Sequence, residues 1–361
     1  MIRPFGTGQG AVDVAVVAVP LLVLLAAALY LRGQHRRYGR LYGRPGRASL
    51  AALAAGLALA AYAVWPLPAA VDGLCSPGAG QGAAERYGPV LAFALFLPVG
   101  WLARDRFRRG PVVTLLLGTG LALAADAVRG TGLLGVYPCA YAEASPLFVA
   151  LGAAGTAAGW LLARFLLPLW PWGDTRGWPG AVPDRVAPDL TRRTLGTLLD
   201  LGLWWYGAGT LTAAMTAVGV IGSDPDGHVR TAVLLGTAAV FGVFVPQVRR
   251  DRCTPGRAAV RLALTEPARP APASRPRVLA RTALLTAPVA LLTAFGHPWI
   301  ALAVVVVHAS SALVRPDRVG LADLLCGTRV RTRAITDGSL PSRLVRYSEP
   351  REPAAARAVS L

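Results

Sequence analysis

Residues 11–31 read AVDVAVVAVPLLVLLAAALYL, a run of apolar side chains interrupted only by Asp13 and Pro20. At about 1.5 Å per residue a helix of this length spans roughly the 30 Å of a bilayer's hydrocarbon core. It is too long for the core of a signal peptide and lacks a basic leader and a small-residue cleavage site, so it is expected to stay as the first span. Eight further stretches have the same character: 48–71, 88–104, 111–128, 146–169, 194–221, 231–248, 279–296 and 298–314. The expected fold is an all-α, polytopic transmembrane helical bundle of about nine spans, with seven as the lower bound. FGHPW (295–299) reads either as a tight hairpin between two spans or as a Pro-kinked break in one.

Composition agrees. Of the 361 residues 54% are hydrophobic and 16% charged, with mean hydropathy +0.48, where soluble domains carry about 25% charged residues. The net charge of +18 comes entirely from arginine on the basic side. The absence of Lys and Asn points to a GC-rich coding habit rather than to a mechanism. The arginines flank apolar spans, which argues for contact with anionic membrane lipid and against nucleic acid as a partner.

Charge also fixes an orientation. The 32–47 loop holds six Arg and no acid, ARDRFRRG (103–110) holds four Arg, and 249–278 and the tail after 314 continue the pattern. Loops 72–87, 129–145 and 222–230 are Arg-poor and carry Asp72, Glu85, Glu143, Asp224 and Asp226. Nine alternating spans place every basic loop on one side, so the expected topology in the cell membrane has the N-terminus outside and the C-terminus cytoplasmic. Cys75 and Cys139 then fall in two outer loops and are the candidate disulfide; Cys253 and Cys326 fall inside and are expected to stay reduced. No Cys or His spacing suggests a metal site, no cofactor is expected, and no nucleophile elbow or phosphate loop suggests an enzyme.

LWPWGDTRGWPGAVPDRVAPDLT (169–191) is rich in Trp, Pro and Gly and reads as an interfacial linker over about 171–190. It separates two membrane units, 1–170 and 191–335. Residues 336–361, ending SEPREPAAARAVSL, have the composition of a disordered cytoplasmic tail.

The chain carries two family resemblances. DRVGLADLLCGTRVRT (317–332) resembles the closing signature of the RDD family of small membrane domains: a basic residue, Gly-Leu, Asp, two leucines and Gly-Thr. RRTLGTLLDLGLWW (192–205) resembles that family's first span, in which an Arg precedes an Asp by seven residues, and QVRRDRCTPGRAAVRLAL (247–264) its basic loop. The resemblance implies that Arg193, Asp200 and Asp323 are the functional polar residues of a domain associated with moving ions or small solutes. FLPVGWLARDRFRR (96–109), ALAADAVRGTGLLGVYPCAY (122–141) and GAAGTAAGW (152–160) resemble the VanZ-like family in its actinobacterial style, with a core over about 88–169. Pro98, Gly100, Gly155 and Gly159 match its scaffold. Its polar positions hold Asp126, Arg129, Ala142, Ser145, Phe148 and Gly152 where the family has Glu, Gln, Arg, two Asp and Asn. That family is associated with altered glycopeptide susceptibility, so the resemblance implies an antibiotic-resistance role at the cell envelope.

Arg193 and Asp200 are close to two helical turns apart and share a face. Asp323 is expected to turn inward and meet Arg193 or a neighbour, either to fix helix register or to handle ions. Asp126 and Arg129 read either as an i,i+3 ion pair at the outer interface or as a secondary site. GTAAG (155–159) is expected to pack helices within the chain. TPGRAAVRLAL (254–264) reads either as an amphipathic helix on the inner leaflet, with Thr254 as N-cap and Pro255 at N1, or as a solvated loop.

Overall fold

Proline and glycine set the helix ends. Pro111, Pro146 and Pro298 each stand in a first helical turn, where the missing N–H would have no partner anyway. The computed structural model describes residues 9–39, 43–64, 70–71, 74–75, 81–132, 145–166, 187–221, 227–315 and 319–342. In its first half lie α1 (Gln9–Tyr38), α2 (Gly43–Val64), α3 (Gln81–Asp105), α4 (Pro111–Gly130) and α5 (Pro146–Phe165). The second half has α6 (Leu190–Ala217), α7 (Gly227–Val248), α8 (Pro255–Ala259), α9 (Arg275–Ala294), α10 (Pro298–Val314), α11 (Leu321–Leu325) and α12 (Arg333–Asp337). The only described strands are two short antiparallel pairs: β1 (Ala70–Val71) with β2 (Leu74–Cys75), and β3 (Leu262–Thr265) with β4 (Arg329–Thr332).

The chain is an all-α integral membrane protein. Among the described residues seven helices are long and apolar enough to cross a bilayer: α1 to α5, α7 and α9. The other two expected spans form helices that differ from these in length or polarity. α6 has 28 residues but carries Arg192, Arg193 and Asp200 in its first turns, and α10 has 17 residues. Leucines such as Leu29, Leu116 and Leu162 point outward, as lipid-facing side chains must when no water drives them inside. FGHPW forms a tight turn, with Gly296 at φ +80° and His297 as the N-cap of α10, so α9 and α10 pack as a helical hairpin.

Two cores organise the bundle. In the first, α3 lies on α5 at backbone contact distance: a Cβ added to Gly155 would meet the carbonyl of Phe93, one on Gly159 that of Leu97, and one on Gly100 that of Thr156. The GTAAG glycines therefore serve packing within the chain. Phe96 and Ala122 are fully buried beside this seam. The second core joins Ala27, Ala28 and Leu31 of α1 to Leu199 of α6, Val260, Leu262, Leu264 and Val330. α1 thus packs along α6, and packing crosses the boundary that the 171–190 linker marks in the sequence.

Within the second half, α7 and α9 each contain one wide π-type turn, at Val240–Phe244 and Thr282–Thr286. Proline explains the first. Pro246 has no N–H to offer the carbonyl of Gly242, four residues back; the hydroxyl of Thr282 of α9 lies between that carbonyl, at 3.3 Å, and the carbonyl of Val278, at 3.0 Å. The two irregular turns face each other and form one wall of the cavity described next.

Candidate functional site

Four helices, α6, α7, α9 and α10, surround a cavity of about 460 Å³. Its floor is made by α8, α11, β3 and β4, the segments that sequence patterning read as basic loop and closing signature. Packing runs from α6 to α7, from α7 to α9 and from α9 to α10, whereas among the described residues α6 and α10 share no substantial contact. Among the described residues the cavity is therefore open between α6 and α10. Leu201 of α6 and Leu313 of α10 line it and are also exposed, so the opening reaches the apolar exterior.

Asp200 sits in the third turn of α6, where Gly196, a turn earlier, leaves room for α8 to dock against the helix. Its carboxylate accepts the hydroxyl of Thr254 and the backbone N–H of Gly256, the latter at 2.6 Å. Thr254 precedes α8 as expected, but its hydroxyl is spent on Asp200 and caps nothing. The helix lasts five residues, is buried through Gly256, Ala258 and Ala259, and gives way to β3. It is neither an amphipathic helix on the membrane surface nor a solvated loop. The carboxylate needed donors more than the leaflet needed a helix. Arg257 approaches Asp200 only at 4.0 Å.

Asp323 is nearly inaccessible, with its side chain 3% exposed. Its partner is Arg281 of α9, whose Nε donates at 2.5 Å, and Thr328 adds a hydroxyl at 3.1 Å. Burial alone would raise the Asp323 pKa, but Arg281 and then Arg257 draw it below the ordinary carboxylate range. Most residues of the GLADLLCGT motif have a visible structural role. Gly320 passes so close to His308 that a Cβ would stand 2.5 Å from its ring. Leu321, Leu324 and Leu325 face outward. Gly327 adopts φ +60°, ending α11 and swinging Thr328 back onto Asp323. His308 accepts the N–H of Ala322 at Nδ1 (3.1 Å), which places its proton on Nε2, 4.0 Å from Asp323.

Arg193 also lines the cavity, and it donates to the carbonyl of Val330 in β4 at 3.3 Å. Arg193 and Asp200, two turns apart on α6, thus line one cavity with the sequence-remote Asp323, while the arginine that answers Asp323 is Arg281 and not Arg193. Arg281 and His308 were not singled out in the sequence, and Arg257 stood there only within the 254–264 segment. Arg281 and His308 had a signal nonetheless: each is an ionisable residue inside an apolar stretch, a rare placement.

The remaining candidates lie elsewhere. Asp126 and Arg129 do not pair with each other. Asp126 accepts the N–H of Ser145 at 3.2 Å, while Arg129 donates to the carbonyl of Tyr62 at 3.3 Å and stacks over its ring at 4.6 Å. Cys139 and the side chain of Cys75 lie outside the described residues. Cys253 is buried, its thiol pushed up to about 12 by burial and by Asp251, whereas Cys326 is half-buried. Another buried cluster ties α1 to α2 through Arg106, just past α3, which donates to Ser49 Oγ (3.1 Å) and Gln34 Oε1 (3.2 Å). Among the described residues no group of three His, Cys, Asp or Glu is placed to hold a metal ion. No family model matches this chain, and neither does any curated protein or solved structure.

Proposed function

We propose that the chain is a non-enzymatic membrane protein of the cell envelope whose second half is a binding chamber reached from the bilayer. One observation carries this reading. The three residues that the RDD resemblance singles out, Arg193, Asp200 and Asp323, all line a single cavity whose open side lies between α6 and α10. The hydrogen-bonding of both carboxylates favours binding over chemistry, because each already has its donors. In the orientation argued from the arginine loops, with the N-terminus outside and the C-terminus cytoplasmic, the charged floor faces the inner leaflet. The resemblance of the 96–160 stretches to the VanZ-like family supports an envelope role, with glycopeptide susceptibility as its readout.

A second reading is ion exchange through Arg193, Asp200 and Asp323. It draws support from the neutral His308 standing 4.0 Å from a buried carboxylate, a pairing suited to proton handling. Two measurements separate the readings. A deletion strain is expected to change its susceptibility to glycopeptides or its envelope integrity, with restoration by the wild-type gene and not by Asp200→Asn. Unchanged susceptibility and envelope, together with cation or proton flux in proteoliposomes abolished by Asp200→Asn, would favour exchange instead.

A further inference from the structure

We propose that the chamber holds the phosphate headgroup of an anionic phospholipid, with Arg257 as its main contact and the acyl chains leaving between α6 and α10. This rests on the reading of the second half as a bilayer-accessible binding chamber.

The charge inventory is the first argument. Arg193, Arg257 and Arg281 line the cavity against Asp200 and Asp323, and the hydrogen bond to Nδ1 keeps His308 neutral. The lining thus presents three guanidiniums to two carboxylates in a place largely shielded from water. Poorly solvated charge is costly, and an anion of matching geometry suits such a lining.

Arg257 is the group with donors to spare. Arg281 is committed to Asp323 at 2.5 Å, and Arg193 reaches Val330. Asp200 is held by Thr254 and Gly256, so it does not depend on Arg257, whose Nε stands 4.0 Å away. A guanidinium carries five N–H donors in a planar fork that suits phosphate oxygens. Two of the wall hydroxyls are committed elsewhere: Thr194 donates to the carbonyl of Leu190 and Thr197 to that of Arg193.

The walls supply the second argument. Leu201, Leu285, Val289 and Leu313 leave the upper part of the cavity apolar, a surface that a soluble anion would leave uncovered. A volume of about 460 Å³ lies within the roughly 300–1,000 Å³ that small ligands occupy. It suits a headgroup and the first part of a chain, while the rest extends through the lateral gap into the bilayer. The membrane thus supplies both the anion and the apolar tail.

The test is retention of defined lipids by the detergent-purified full chain after delipidation, read by native mass spectrometry. Phosphatidylglycerol, phosphatidylcholine and soluble glycerol 3-phosphate are each added back. The wild type is expected to retain phosphatidylglycerol selectively, and Arg257→Gln to weaken retention about tenfold, the scale of a lost charge-assisted hydrogen bond. Val289→Trp, which leaves every charge in place and fills the apolar wall, is expected to weaken it similarly, so the test stands even if Arg257→Gln misfolds. Equal retention of the two lipids would overturn the anionic-headgroup inference and leave the chamber reading intact. Glycerol 3-phosphate binding as well as the lipid would overturn the lipid part, and wild-type retention by both folded variants would place the lipid outside the chamber. Retention of neither lipid would sink the inference and the chamber reading together.

Discussion

Asp323→Ala should destabilise the second half by about 3–5 kcal/mol, the usual cost of removing one member of a buried ion pair and stranding the other. The stranded group is Arg281, whose side chain is 8% exposed and whose Nε is 2.5 Å from the lost carboxylate. The cost should fall when both charges go. Asp323→Leu combined with Arg281→Met is expected to recover most of the loss, because well-packed apolar residues replace a buried pair at little penalty. Thermal unfolding in detergent, run as a double-mutant cycle, measures the coupling. Arg193→Ala is expected to couple to Asp323 far less than Arg281→Ala does, since Arg193 is directed at Val330. A larger coupling to Arg193 would contradict the geometry. The same pair sets an acid dependence. Because the folded state holds the Asp323 pKa below its ordinary value, its contribution is complete above about pH 4 and is lost as the pH falls through the depressed value. Tm should therefore drop on acidification in the wild type, and drop less in the doubly apolar variant.

Gly155→Ala should force α3 and α5 apart and cost on the order of 1–3 kcal/mol, the range of overpacking in a well-filled core. The added methyl would fall on the carbonyl of Phe93, which is backbone and cannot rotate away. Gly159→Ala meets the carbonyl of Leu97 and should behave alike. Gly120→Ala on α4 is the control: nothing lies within 4 Å of its Cβ. There the better helix propensity of Ala should leave stability unchanged or raise it by about 0.5–1 kcal/mol. Similar losses at all three positions would mean that the α3–α5 seam is not the tight contact described.

Much of this was legible from residue order, and what was missed has a common cause. Apolar runs between arginine clusters give the helices because a bilayer leaves the backbone few other choices. The resemblance to a closing signature brought Asp323 into view, and spacing put Arg193 and Asp200 on one face. Spacing could not reveal which arginine answers which carboxylate. That depends on how α9 tilts against α11, and Arg281, 42 residues away from Asp323, leaves no periodic trace. The 254–264 segment failed for a related reason. Its pattern of arginines and small residues fits a surface helix locally, but Asp200 takes the Thr254 hydroxyl and the Gly256 N–H, and docking buries the turn. Asp126 and Arg129 have the spacing of an ion pair, yet Tyr62 and Ser145 outcompete it. Local periodicity predicts elements; partners chosen across the bundle are tertiary facts.

The central claim is that the charged chamber opens to lipid between α6 and α10. Nitroxide labels at Leu201 and Val306, one on each flank and both exposed, test it in lipid nanodiscs. The account predicts mobile labels relaxed by lipid-soluble oxygen and shielded from a water-soluble nickel chelate at both sites. Relaxation by the chelate at either site, or two labels immobilised against each other by a closed α6–α10 contact, would contradict it.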